Sequence, residues 1–151
     1  MTDFTIIVGT VMGTAQEVAE SVMSELHASG YKATIHTEFT PDILRTDSNN
    51  MLLVCTSNTG MGDLPENIRS FHQHLTNDFP RIAGKAYGII NLGDSTYPNY
   101  AEAGHTIDHA LSDIGATPLV DMLIFDASEG NDYPGQSVAW LHELLEKLPK
   151  N

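Results

Sequence analysis

The chain has 151 residues, 41% of them apolar, and its twenty acidic and seven basic side chains give a formal charge of −13. That length suits a single domain spanning residues 1–151 with a full core of its own, and the lone Cys55 excludes an internal disulfide. Such acidity argues against nucleic acid, whose phosphates it would repel; it suits a basic protein partner, or simply aids solubility. No apolar run reaches the roughly 18 residues of a membrane span, and the start Met1-Thr2-Asp3-Phe4 has no basic signal-like region. A soluble, cytoplasmic, monomeric protein is therefore expected.

In chain order, Phe4–Val8 predicts a first strand. Residues 14–29 predict a helix, with Ala15, Val18, Ala19, Val22, Met23 and Leu26 on one face and Gly30 as its stop. Lys32–His36 is a short mixed strand suited to a sheet edge. Between residues 37 and 50, Pro41 and the polar run 46–50 mark turns, with at most a short helix between them. Met51–Cys55 is apolar throughout and predicts a central strand covered on both faces. A helix follows Pro65. Ala86–Leu92 predicts strand four, 101–114 a helix stopped by Gly115, Pro118–Phe125 strand five, and 135–148 a last helix with Val138, Leu141, Leu144, Leu145 and Leu148 inward. Five strands alternating with helices predict an α/β fold, a three-layer α/β/α sandwich on a parallel sheet. The doubly wound order 2-1-3-4-5 puts ligands at the carboxyl edge, beside the switch between strands one and three.

Three loops fall on that edge. The first, Gly9-Thr10-Val11-Met12-Gly13-Thr14-Ala15, leads into a helix N-terminus. Successive backbone N–H groups there bind an anion well, and Thr10 and Thr14 add hydroxyl donors. No lysine or arginine lies in the loop, so a phosphate would be held by neutral donors. The same stretch also reads as a Thr-capped helix with a turn glycine. It is neither a Walker loop nor a dinucleotide fingerprint. The second loop, residues 56–65, holds Gly60 and Gly62, which lower the cost of a backbone rotation. Such a rotation would let a carbonyl meet a flavin N5 proton; a plain turn is the other reading. The third loop, Gly93-Asp94-Ser95-Thr96-Tyr97-Pro98-Asn99-Tyr100, offers tyrosines to stack on a flat ring and Asp94 to meet its polar edge. Tyrosines are also common on loops, and Tyr100 reads equally as a packing residue; together, however, the loops describe a flavin mononucleotide (FMN) site.

These residues resemble the flavodoxin family over essentially the whole chain. Residues 10–15 resemble the family's phosphate loop, with Met12 in place of a threonine and Ala15 in place of the last hydroxyl residue. The Gly-Thr-Ala ending is similar to the FMN domains of diflavin reductases. Loop two resembles the version seen in those domains and in small MioC-like bacterial flavodoxins, and loop three closely resembles the family's Gly-Asp-Ser-Ser-Tyr loop. The resemblance implies that Thr10, Val11, Met12, Gly13, Thr14 and Ala15 hold the phosphate. Ser57, Asn58, Thr59, Gly60 and Gly62 form the hinge loop, with Gly60 the redox hinge. Leu92, Gly93, Asp94, Tyr97, Asn99 and Tyr100 frame the ring, with Tyr97 stacking. Thr59 stands where many flavodoxins place an aromatic residue, which predicts weaker FMN binding than in a doubly stacked site.

The function implied is that of a one-electron carrier rather than an enzyme. It would cycle between semiquinone and hydroquinone. Its partners would be an NADPH-dependent flavodoxin or ferredoxin reductase and acceptor redox enzymes with basic faces. The alternative is an FMN-binding accessory or regulatory protein without carrier turnover. A receiver-like domain is disfavoured because strand three ends in Cys55-Thr56-Ser57, without a phosphate-accepting aspartate. A quinone reductase is disfavoured because no added segment supplies a substrate pocket. His105 and His109, spaced i, i+4, suggest no metal site without a third ligand.

Overall fold

All strand pairs run parallel, as alternating strands and helices require. The computed structural model describes residues 2–10, 13–47, 49–58, 62–96, 99 and 101–148. In chain order these form β1 (Asp3–Gly9), α1 (Thr14–Ala28), β2 (Lys32–His36), β3 (Asn50–Ser57), α2 (Arg69–Gln73), β4 (Ala86–Gly93), α3 (Glu102–Asp113), β5 (Thr117–Pro118), β6 (Leu123–Asp126) and α4 (Tyr133–Glu146). The order is β2-β1-β3-β4, and both β5 and β6 pair with β4. This is the expected 2-1-3-4-5 order with its last strand in two pieces.

The break has an identifiable cause. After Leu119 N donates to Tyr87 O, the chain leaves the ladder, and Asp121 O accepts instead from Trp140 Nε1 at 2.9 Å. Pro118 has no N–H for a ladder, and the buried indole needs an acceptor. The helix expected after Pro65 is also broken up. A 3-10 turn (Glu66–Ile68) leads into α2, which continues as one π-helical turn (His74–Asp78). Ile68, Phe71 and Leu75 keep the helical spacing and are fully buried. The segment ends at Phe79, because Pro80 disfavours right-handed helix in the residue before it; Phe79 instead takes φ 47.

The strand period of two sends alternate side chains to opposite faces. Phe4, Ile6 and Val8 join Met51, Leu53, Cys55, Ile90 and Leu92 beneath α1 and α4. Ile7, Leu52, Val54, Tyr87 and Ile89 face the other core with Phe71, Leu75, Ile107 and Leu111. Helix α1 buries Ala15, Val18, Ala19, Val22 and Leu26, the 3.6-residue stripe read from its sequence. Burying one such valine or leucine contributes about 1.5–3 kcal/mol. Strand register then sets the site: Gly9 pairs with Thr56, Ser57 with Leu92, and Gly93 with Asp126. Four strands thus end level, and their loops leave side by side.

Candidate functional site

The first loop is shaped by its own backbone. Thr10 Oγ1 accepts from Gly13 N at 2.8 Å, and Gly13 takes φ 93, a left-handed value that glycine adopts without strain. Gly13 is also the N-cap of α1, so no side-chain cap occupies the helix start. The first N–H groups of an α-helix have no partner within the helix and carry the positive end of its dipole. Those of Thr14 and Ala15 are therefore offered to an outside anion. Ala15 is fully buried in the core, so its part in any such contact is its N–H, not its side chain. Val11 and Met12 lie outside the described residues.

Asn67 anchors this loop from across the sheet. Its Oδ1 accepts from Thr10 N at 3.1 Å, while its Nδ2 donates to Val8 O at 2.7 Å and to Thr37 O at 2.9 Å. One amide thereby fixes the exits of β1 and β2. Sequence reading missed it, because partners 57 and 59 residues away leave no local signal.

Loops two and three are built as a pair. Asn58 N donates to Leu92 O at 3.1 Å, Asn58 Nδ2 donates to Asn99 O at 3.2 Å, and Asn58 Oδ1 accepts from Ala103 N at 3.1 Å. Asn58, expected to meet the cofactor, thus spends its amide tying the hinge loop to the ring loop and to the start of α3. Gly62 adopts φ 88, and a Cβ there would stand 2.8 Å from Asn99 O. Asn99 takes φ 61, which asparagine tolerates, and its carbonyl also caps α3 by accepting from Glu102 N at 3.0 Å. Ser57 Oγ reaches Gly9 O at 3.5 Å, which brings loop two beside loop one. Thr59, Gly60, Tyr97 and Tyr100 lie outside the described residues.

In the third loop Asp94 Oδ1 accepts from Thr96 N at 2.9 Å and from Thr96 Oγ1 at 2.6 Å. This is an Asx turn, so that oxygen shapes the loop. Leu92 is packed into the core and contributes its carbonyl, while Gly93 O accepts from Ala127 N at 2.8 Å. Asp126, at the end of β6, accepts from Ser95 N at 2.9 Å. The hydroxyl and N–H of Ser95, and then the Ser128 donors, hold the Asp126 carboxyl well below the usual carboxylate range against a smaller opposing effect of burial. The repeated Asp-x-Ser/Thr pattern, at 94–96 and 126–128, is the signal that could have marked both aspartates.

Every described residue of the expected site therefore stands on one edge: Thr10, Gly13, Thr14, Ala15, Ser57, Asn58, Gly62, Leu92, Gly93, Asp94 and Asn99. Trp140 lies on α4 over the core, with its ring beside Gly88 of β4. The rings of His105 and His109 approach to 6.5 Å, yet among the described residues no group of three or more His, Cys, Asp or Glu is placed to hold a metal ion.

The family model for flavodoxins matches residues 6–140. Flavodoxin YqcA of Escherichia coli (strain K12) is 34% identical over 143 residues, which are 95% of this chain and 96% of that one. The sulfite reductase [NADPH] flavoprotein alpha-component of Vibrio vulnificus is 28% identical over 145 residues, 95% of this chain but 23% of that longer protein. Among solved structures, a mutant flavodoxin from Pseudomonas aeruginosa superposes with a TM-score of 0.89 at 32% identity, covering 97% of this chain and 99% of that one.

Proposed function

This chain belongs to the flavodoxin family, and from that premise we propose that it binds FMN without a covalent link and carries single electrons between proteins. The observation that carries the reading is the helix start at Gly13. Its cap has no side chain, and its free N–H groups share one edge with the interlocked loops of Gly62 and Asn99. A phosphate monoester fits this neutral cradle, because N–H dipoles and hydroxyls hold it without a local cation. Thr10, Gly13, Thr14 and the N–H of Ala15 would hold the phosphate, with Val11 and Met12 completing that loop. Gly60 would supply the hinge peptide, and Asp94, Tyr97, Asn99 and Tyr100 would frame the ring. The flavin, when bound, supplies the one-electron chemistry; the protein binds it, orients it and sets the local charge.

The charge pattern supports a carrier that docks flavin edge first. Asp63, Glu66, Asp94, Glu102, Asp126 and Glu129 follow the carboxyl ends of the strands or begin helices there. Arg69 is a basic residue on that edge, while at the opposite edge Lys32, Arg45, Arg81, Lys85 and Lys147 stand with Asp3, Asp47, Asp78 and Asp113, so the excess of negative charge is clearer at the flavin edge. A basic partner face would be steered toward the cofactor. The donor is proposed to be an NADPH-dependent reductase, a pairing that the likeness to the sulfite reductase [NADPH] flavoprotein supports, and the acceptors to be redox enzymes. The protein would work as a cytoplasmic monomer and not as an enzyme with a substrate of its own. Among the described residues no helix is long and apolar enough to cross a membrane.

Titration of the purified chain with FMN, followed by anaerobic stepwise reduction, tests this reading. The expected result is one FMN per chain and two resolved one-electron steps. A chain that takes up no FMN, or takes it up and is reduced only in a single two-electron step, would overturn it. Electron transfer from a reductase should also slow as salt rises.

A further inference from the structure

The end of β6 does more than close the sheet. One oxygen of Asp126, Oδ1, accepts three hydrogen bonds: from Ser95 N at 2.9 Å, Ser128 N at 3.0 Å and Ser128 Oγ at 2.8 Å. Ser128 Oγ also lies 2.9 Å from Ser95 Oγ, and Asn131 Nδ2 donates to Asp126 O at 2.7 Å. The Ser128 contacts hold the carboxylate locally, and Asn131 holds the Asp126 main chain. The bond to Ser95 then crosses 31 residues, into the loop that is to frame the ring.

That loop has two ends. At the far end Asn99 O is held by Asn58 Nδ2 and Glu102 N. At the near end, Asp94 bonds, among the described residues, to Thr96 two residues on, which gives the loop a shape but not a place. Gly93 belongs to the sheet, and the first peptide beyond it with a tie to another element is Ser95. Resting on the FMN reading above, we propose that Asp126 is a positioning residue for the flavin. Its Oδ1 fixes the Ser95 peptide, the first point at which the loop proposed to frame the ring is tied to another element. The acceptor is well chosen for this task. A carboxylate held by three donors makes stronger bonds than a neutral amide or hydroxyl. The Ser95 and Ser128 donors hold its proton affinity low, which keeps it an acceptor at neutral pH.

The test uses the whole chain with three substitutions. Asp126→Ala removes the acceptor. Asp126→Asn removes the charge but keeps an oxygen where Oδ1 stands. FMN affinity is read from quenching of flavin fluorescence, and amide hydrogen exchange at Ser95 is read in the FMN-free protein. Asp126→Ala is expected to weaken FMN about tenfold or more and to speed Ser95 exchange. Asp126→Asn is expected to stay within about threefold of the parent, because the oxygen still accepts. If Asp126→Ala binds FMN within threefold of the parent, or if Asp126→Asn is as weak as Asp126→Ala, positioning through Ser95 is wrong. A parent chain that takes up no FMN overturns the FMN reading and this inference with it, whereas the other outcomes overturn this inference alone. Should Asp126→Ala not fold, Ser128→Ala serves in its place, since it removes the hydroxyl that touches both Asp126 and Ser95. It should speed Ser95 exchange and weaken FMN about threefold, and no change in either would be decisive against the inference.

Discussion

Gly62→Ala should separate loops two and three. Two costs combine at this position. Alanine in the left-handed region costs about 1–2 kcal/mol, offset by about 0.4–1 kcal/mol because alanine stiffens the unfolded chain. The new methyl would also lie 2.8 Å from Asn99 O, 2.9 Å from Asn99 Cβ and 3.0 Å from Glu102 Cβ. The nearest of these atoms is backbone, so no side chain can swing aside, and overpacking of this kind costs about 1–3 kcal/mol. The expected net loss is about 2–4 kcal/mol. Urea unfolding of the FMN-free protein measures it, with an unchanged slope and a midpoint lowered by about 1–2 M. Gly13→Ala is the control, since Gly13 has φ 93 but nothing within 4 Å of its missing Cβ. It should show the conformational cost alone, about 1 kcal/mol. If Gly62→Ala loses no more than Gly13→Ala, the two loops are not packed on each other and the argument fails.

Three further outcomes are expected. Asn58→Ala strips partners from Ala103 N and Asn99 O and should cost about 1–3 kcal/mol in urea unfolding; an unchanged midpoint would mean that water replaces the amide freely. Cys55 is 1% exposed, and burial pushes its thiol up to about 12, so a thiol reagent should find no group in the native protein and one in denaturant. Fast labelling of the native protein would place Cys55 outside the core. Lys85 is 6% exposed, and burial lowers it to about 8 from 10.5 despite the opposing pull of Asp47. Below the folded value both states are protonated and the burial penalty is complete. Between about 8 and 10.5 the unfolded chain holds the extra proton, so stability should rise with pH across that window. Lys85→Met should remove this part of the slope, and identical pH profiles for the two proteins would refute it.

The fold was legible because its elements obey simple periods. β2 was read to the residue, and the stripe of α1 matches its buried face, because one repeating pattern met one repeating environment. The misses came where a single distant contact outweighed the local pattern. Leu119–Met122 is apolar enough for a strand, yet the Trp140 indole takes the Asp121 carbonyl out of the ladder. Nothing between residues 118 and 125 announces a partner 19 residues on. After Pro65 the apolar spacing of Ile68, Phe71 and Leu75 correctly indicated burial but not the change from 3-10 to α to π geometry, since all three place side chains three or four residues apart on one face.

The site was legible in a different way. Glycine and tyrosine motifs pointed to the residues proposed to meet a cofactor, because they fall in loops that leave one edge of the sheet. They could not name the residues that hold the loops in place. Asn67, Asn58 and Asp126 each bond across the edge, to loop one, to loop three with α3, and to Ser95. All three are ordinary polar residues at turns, where sequence alone predicts local capping. Asn58 was expected on the flavin and Asp126 drew no functional expectation, and in both cases the side chain is spent on a neighbouring loop. The consequence is mechanical. Were the three loops independent, each would lose its own conformational freedom on binding, at about 1–2 kcal/mol for every residue fixed. Loops already bonded to one another have lost much of it during folding, which favours a cradle organised before FMN arrives. It follows that loosening any one tie should weaken the whole site rather than one contact. Paired substitutions, Asn58→Ala with Asp126→Ala, should therefore depart from additivity in FMN affinity. Strict additivity would mean that the loops bind the cofactor separately.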